Sequence, residues 1–287
     1  MCGLFGLLRA PEGEHREWAS DAFVIFGALA EERGRDSAGV AFVGDNDVRV
    51  VKGLGSFSSV WRPDLLPALD AAPLALGHTR WATQGSAQEL VNASPQVVEG
   101  VVSGGPSAGS RNVIVATHNG DVDALALRAG FALPQPAGGT DSEPIFQALA
   151  TAGHDTGRIA DVLSAILGRA ALAWADRGRL HLARAALSPL TVAVDADRNL
   201  YWVSNPRWLV EVERHTPVRF VTRWMLREGT YLAVDREQRI VARSGFRPTA
   251  RPADMDVRVW TGFTEADMMR DRAELRHLVA AECVPAA

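Results

Sequence analysis

The chain is 287 residues long, 47% hydrophobic and 22% charged, with a formal net charge of −4. That length corresponds to one large domain or two small ones, and that composition buries a sizeable core, which excludes global disorder and a fibrous design. The slight acidic balance offers no net positive surface for nucleic acid, and the longest apolar stretches, such as Ala22 to Ala30, stop far short of the roughly 20 residues that span a bilayer.

The opening MCGLFGLLRA lacks the charged-then-apolar order of a secretion signal, so the mature N-terminus is expected close to the encoded one. Gly3 to Leu8 reads as a short buried strand. From Trp18, Ala22, Ile25, Phe26 and Leu29 recur at helical spacing while Asp21, Glu31 and Glu32 supply a wet face, which predicts an amphipathic helix. GVAFV and VRVVK flank the turn formers Gly44 to Asp47 as a hairpin. PLALGHTRWATQG and NVIVATHNGD are each an apolar strand that delivers polar residues at its end, and the Gly- and Ser-rich stretch Gly100 to Ser110 reads as a loop. Thr140-Asp141-Ser142-Glu143 has the form of a capping box before Ile145, Phe146 and Leu149, and Ile159, Val162, Leu163, Ile166 and Leu167 predict a second helix. ALAWADRGRLHLARA, TVAVDADRNLYWVSN and TYLAVDREQRIVARS are three hairpins, and TEADMMRDRAELRHLVAAE predicts a terminal helix. This order is α+β rather than alternating βαβα, and two antiparallel sheets covered by helices fit it. No internal repeat of 20 to 50 residues is visible.

Cys2 is the first candidate for chemistry. The only other cysteine, Cys283, stands at the opposite end, so there is neither a disulfide framework nor a CxxC motif, a usage that suits a reducing, cytoplasmic compartment. Removal of Met1 would place a thiol and a primary amine on one residue. A thiol with a pKa near 8.5 needs a proton acceptor at neutral pH, and an α-amine of pKa about 7.7 to 8.0 keeps a useful neutral fraction there. The alternative for Cys2 alone is a buried residue of the first strand.

Around it stand Cys2-Gly3-Leu4-Phe5-Gly6, Arg33-Gly34-Arg35-Asp36-Ser37-Ala38-Gly39, His78-Thr79-Arg80-Trp81-Ala82-Thr83-Gln84-Gly85, Asn92-Ala93-Ser94-Pro95, Thr117-His118-Asn119-Gly120 and Gly139-Thr140-Asp141-Ser142-Glu143. Together, and in this order, they resemble the glutaminase domain of class II glutamine amidotransferases. The pattern is nearest that of glucosamine-6-phosphate synthase, with amidophosphoribosyltransferase more distant. The resemblance implies the four-layer αββα sandwich of N-terminal nucleophile hydrolases, over residues 1–245, followed by an extension over 246–287 that carries the terminal helix. It implies Cys2 as nucleophile, and Asn119 with the backbone of Gly120 as the oxyanion hole. It further implies Arg80 and Thr83 on the α-carboxylate of L-glutamine, Asp141 on its α-ammonium, and Trp81 as an apolar wall.

Each residue has a plainer reading beside this one. Arg80 could be a strand-end arginine, Trp81 simple core, Asn119-Gly120 a hairpin turn, although Asp121 to Ala129 alternate poorly and read as helical rather than strand-like, and Asp141 a helix cap. Arg33 is expected to support the site near Cys2, or else to pair with Asp36 or another acid. His78 and His118 have no metal-ligand partners at suitable spacing and read as structural, so neither metal nor cofactor is called for. Gln84 and Ser94 stand where glucosamine-6-phosphate synthases usually carry histidine; neither change removes the catalytic set, but both weaken assignment to that enzyme. The expected activity is hydrolysis of glutamine to glutamate and ammonia through a cysteine thioester. Because the chain after Tyr231 holds only a hairpin and a tail, the ammonia acceptor is expected to be a separate partner protein. The alternatives are a stand-alone hydrolase of another γ-glutamyl amide and a non-catalytic regulatory subunit.

Overall fold

The structure, a computed structural model, describes residues 2–249 apart from 46 and 177. Its elements run β1 (Gly3–Leu8), α1 (Arg16–Ala30), β2 (Ser37–Val43), β3 (Val48–Leu54), α2 (Phe57–Val60), α3 (Leu66–Ala71), β4 (Leu74–Arg80), β5 (Gln96–Val101) and β6 (Arg111–Val122). There follow α4 (Ala124–Phe131), α5 (Ser142–Ala152), α6 (Thr156–Ala165), β7 (Gly168–Asp176), β8 (Arg179–Arg184), β9 (Thr191–Asp195) and β10 (Leu200–Val203). The described chain closes with α7 (Arg207–His215), β11 (Phe220–Met225), β12 (Thr230–Val234) and β13 (Ile240–Gly245).

Two sheets form. The first has the order β11-β9-β10-β1-β4-β2-β3 and the second β13-β12-β8-β7-β6-β5. Every ladder is antiparallel.

Side-chain alternation explains the layering, because successive residues of a strand point to opposite faces. In β1, Phe5 and Leu7 pack with Ala22, Phe23 and Phe26 of α1 and Trp208 of α7, in a core outside the first sheet. Leu4 and Leu8 turn the other way and meet Val115, Ala173 and Leu182 of the second sheet, in the core between the sheets. A third core puts Ile114, Ala116, Leu172 and Trp174 against Ile145, Phe146 and Leu149 of α5 and Ile159 and Leu163 of α6. Helices, sheet, sheet, helices is the αββα order, and a strand buried on both faces reads as the near-continuous apolar run seen in GLFGLL.

The strand at 3–8, the hairpins and the amphipathic helix lie where the pattern places them. Four expectations change. The capping box at Thr140 to Glu143 does not form: Asp141 occupies the cap position in helical geometry without a side-chain cap bond, and Glu143 instead accepts from the N–H groups of Ala137 (2.6 Å) and Gly138 (2.9 Å). Ile166 and Leu167 lie beyond the end of α6, although Ile166 stays buried in the same core. Gly100 and Val101 belong to β5, which leaves 102–110 as the loop. Asp121 and Val122 complete β6, so the helix after Asn119-Gly120 starts only at Ala124. The predicted helix TEADMMRDRAELRHLVAAE lies outside the described residues.

Candidate active site

The ladder places the site. Gly3 pairs with Thr79 across β1 and β4, so one antiparallel step further Cys2 stands beside Arg80. Leu4, Leu74 and Leu76 face the second sheet. By the two-residue alternation, Cys2, His78 and Arg80 face the same way. On β6, which lies against β1 and β4, Val115 faces the first sheet while Ile114 and Ala116 face α5. Asn119 and Asp121 therefore look toward Cys2 and Arg80, and His118 and Gly120 look toward α5. Hairpin geometry is excluded for Asn119-Gly120, because both residues sit inside the strand, opposite Ala171 and Ala170 of β7.

A narrow cleft opens at this end of the two sheets. Cys2, Arg80, Trp81, Thr83, Gly120 and Asp141 all line it. The Cys2 thiol lies 3.6 Å from the Trp81 carbonyl oxygen, and the Nε–H of Arg33 donates to the carbonyl of Cys2 itself at 3.1 Å. Arg33 thus props the strand end that carries the sulfur. Trp81, 37% exposed, lines the cleft and is not core.

Arg80 is buried, and its guanidinium grips the loop that follows it. Nη2–H groups donate to the carbonyls of Gln84 (2.6 Å) and Gly85 (3.3 Å), and Nη1–H donates to that of Ser86 (3.1 Å). With five N–H donors in the fork, Nε–H and one Nη1–H remain. Asn92 ties the same loop down from its other side, donating to the Ser86 carbonyl at 2.9 Å and accepting from the Gly139 N–H at 2.8 Å.

Asn119 is fully buried, and neither Oδ1 nor Nδ2 of its side chain pairs with a described residue. It faces the space between the sheets, opposite Ala171, and is not itself among the residues that line the cleft. A Cβ on Gly120 would overlap the carbonyl oxygen of Arg169, so only glycine lets β6 come this close to β7.

The buried titratable groups are electrostatically distinct. Burial pushes the His78 imidazole down to about 4, and nearby Arg80 adds to the effect. Its Nε2 meets the His118 carbonyl at 2.9 Å, an acceptor, so the proton of the neutral ring sits on Nε2. Burial also lowers His118, whose Nε2 meets the Arg169 carbonyl (3.3 Å) and whose Nδ1 meets the Ser142 hydroxyl (2.9 Å). Both rings are hydrogen-bonded, and both residues line the cleft. Burial raises the Asp141 carboxyl, while His118 and the Val122 N–H, 2.8 Å from Oδ2, work against that rise. Among the described residues no cluster of three His, Cys, Asp or Glu could hold a metal.

The sequence reading missed Asp121, Thr140 and Ser142. Thr140 and Ser142 line the cleft from the segment that carries Asp141. Asp121 accepts from the Gln84 side chain at 2.6 Å, and its signal was a carboxylate two positions beyond Asn119 on the same face of a strand.

No family model matches the chain. It is 34% identical over 130 residues to the glutamine–fructose-6-phosphate aminotransferase (isomerizing) of Corynebacterium efficiens, an alignment covering 45% of this chain and 19% of that one. It is 36% identical over 129 residues to the amidophosphoribosyltransferase of Synechococcus elongatus (44% and 23%), and 32% over 158 residues to that of Rattus norvegicus (52% and 28%). The chain therefore spans about a fifth to a quarter of the length of these relatives. Among solved structures, the glutamine phosphoribosylpyrophosphate amidotransferase of B. subtilis superposes with a TM-score of 0.63 at 20% identity, covering 85% of this chain and 49% of that one. No helix of the described residues is long and apolar enough to cross a membrane. Over about half its length the chain is thus similar in sequence to these two kinds of enzyme, and it shares its αββα fold with the B. subtilis amidotransferase.

Proposed function

We propose that the cleft hydrolyses the γ-amide of L-glutamine to glutamate and ammonia, with Cys2 as the nucleophile. The observation that supports this most is that Cys2, Arg80, Thr83, Gly120 and Asp141, drawn from separate segments of the sequence, line one cleft. Removal of Met1 frees the α-amine of Cys2, which takes the thiol proton. The thiolate attacks the γ-carbonyl carbon, and the Asn119 amide with the Gly120 N–H receive the charge that moves to oxygen. The C–N bond then breaks, ammonia leaves with the proton, and water cleaves the γ-glutamyl thioester.

Arg80 and Asp141 are assigned to the two charges of the amino-acid head. The donors that Arg80 keeps beyond its loop contacts suit a carboxylate, and the ionised form of Asp141 suits an ammonium. Trp81 and Thr83 stand at the cleft for the wall and hydroxyl roles. Ammonia passes to an acceptor protein in this reading. The relatives are named for transfer to fructose 6-phosphate and for phosphoribosyl chemistry, and most of the length of each lies outside the portion matched here.

Glutamate release by the parent protein, measured beside Cys2→Ala with intact mass recorded for both, tests the reading. Release that vanishes in Cys2→Ala, from a parent whose mass lacks Met1, is the expected result. Equal release from both proteins would refute it.

A further inference from the structure

Gln84 lines the cleft and reaches from the loop after β4 to β6. Its Nε2 donates to Asp121 Oδ1 at 2.6 Å and to the Val122 carbonyl at 3.1 Å, two acceptors that fix which end of the amide faces β6. Gln84 belongs to the loop after β4 of the first sheet, and Asp121 to β6 of the second. The bond therefore joins the two sheets at the end where Cys2 of the first must face Asn119 and Gly120 of the second. Arg80 holds the backbone of the same loop through the carbonyls of Gln84, Gly85 and Ser86. The Val122 N–H in turn holds Asp141, so loop, strand and head-group carboxylate share one network.

We propose that the Gln84–Asp121 bond is a latch that positions the Trp81–Ser86 loop and, through the two sheets, sets the spacing between sulfur and oxyanion hole. Both are positioning residues; neither touches the reacting atoms. The catalytic part of the proposal rests on the glutaminase reading, and the latch itself does not.

Gln84→Ala, Gln84→Glu and the double variant Gln84→Glu/Asp121→Asn test it by two measurements. One is hydrogen exchange of the backbone amides of residues 83–88; the other is kcat and KM for glutamine across pH. Gln84→Ala is expected to speed exchange of the loop and lower kcat/KM by about 10²-fold, the scale of an ångström-sized misplacement. Gln84→Glu sets two carboxylates against each other, so its activity relative to the parent rises as pH falls and one of them takes a proton. The double variant exchanges donor and acceptor across the same gap but leaves the Val122 carbonyl without its donor, so it is expected to restore exchange protection and kcat/KM in part, clearly above Gln84→Glu. Exchange in Gln84→Ala equal to the parent, or a double variant no better than Gln84→Glu, would overturn the latch. A parent that releases no glutamate would overturn the glutaminase reading, while the exchange data still judge the latch on their own.

Discussion

Asn119 is the residue at which stability and function are expected to separate. Two buried polar atoms of its side chain lack a partner among the described residues. Each unpaired buried polar group costs about 1–3 kcal/mol of folding free energy. Leucine has the same number of side-chain heavy atoms and the same branch point, but its methyl groups are bulkier, and overpacking of that kind costs about 1–3 kcal/mol. Asn119→Leu is therefore expected to stabilise the fold by about 1–3 kcal/mol net, which raises the melting temperature by about 2–4 °C per kcal/mol. If Asn119 supplies the oxyanion donor of the proposed reaction, its loss is expected to lower kcat for glutamine by about 10²- to 10³-fold. Thermal and urea unfolding of parent and variant, with glutamate release on the same preparations, read both effects. A variant that unfolds at lower temperature than the parent would show that the amide is already satisfied, and the argument for a donor held ready for substrate would fall with it.

Two other sites make sharp predictions. Gly120→Ala forces a methyl group into the Arg169 carbonyl, a backbone atom that cannot swing aside, and is expected to destabilise the fold by about 3 kcal/mol, read as a drop in urea midpoint. His78, held near 4 in the folded state against about 6.5 when unfolded, binds its proton more readily in the unfolded chain. Its contribution is fully present above pH 6.5 or so and is lost as pH falls through 6.5 toward 4; the shift corresponds to about 3 kcal/mol. Unfolding free energies measured across that window should fall less steeply in His78→Gln, and parallel slopes would refute the assignment.

Much of this layout is legible in the chain itself, for reasons that differ by element. β1 and β7 announce themselves because both faces are buried, so GLFGLL and GRAALAWAD are almost wholly apolar or small. Turn formers mark the hairpins at Gly44 to Asp47 and around Asp195 to Asn199. The segment 57–71 and β11 are harder to see. α2 is a single turn, and β11 is an edge strand whose Val221 and Arg223 are exposed, so neither repeats its period long enough to stand out. At the cleft, residue types announce the candidates, but not which hydrogen bonds they make. Thr140 to Glu143 reads as a capping box by local spacing. Partners outside the helix take both of its carboxylates instead, Asp141 to Val122 nineteen residues away and Glu143 to the N–H groups of Ala137 and Gly138. The same holds for Arg80: a guanidinium at a strand end says nothing about the carbonyls that curl back toward it four to six residues later.

The central place of β1 also bears on how the protein is made. Its partner on one side, β4, follows within the first 80 residues, but the other, β10, pairs Phe5 with Val203, and the Leu4 N–H is held by Ser204 at 3.0 Å. A ribosome adding about 5–20 residues per second delivers that second neighbour about 10–40 seconds after the first strand. The strand next to Cys2 is thus flanked on both sides only near the end of translation of the described chain, and a nascent polypeptide stopped before residue 200 would leave one of its sides bare.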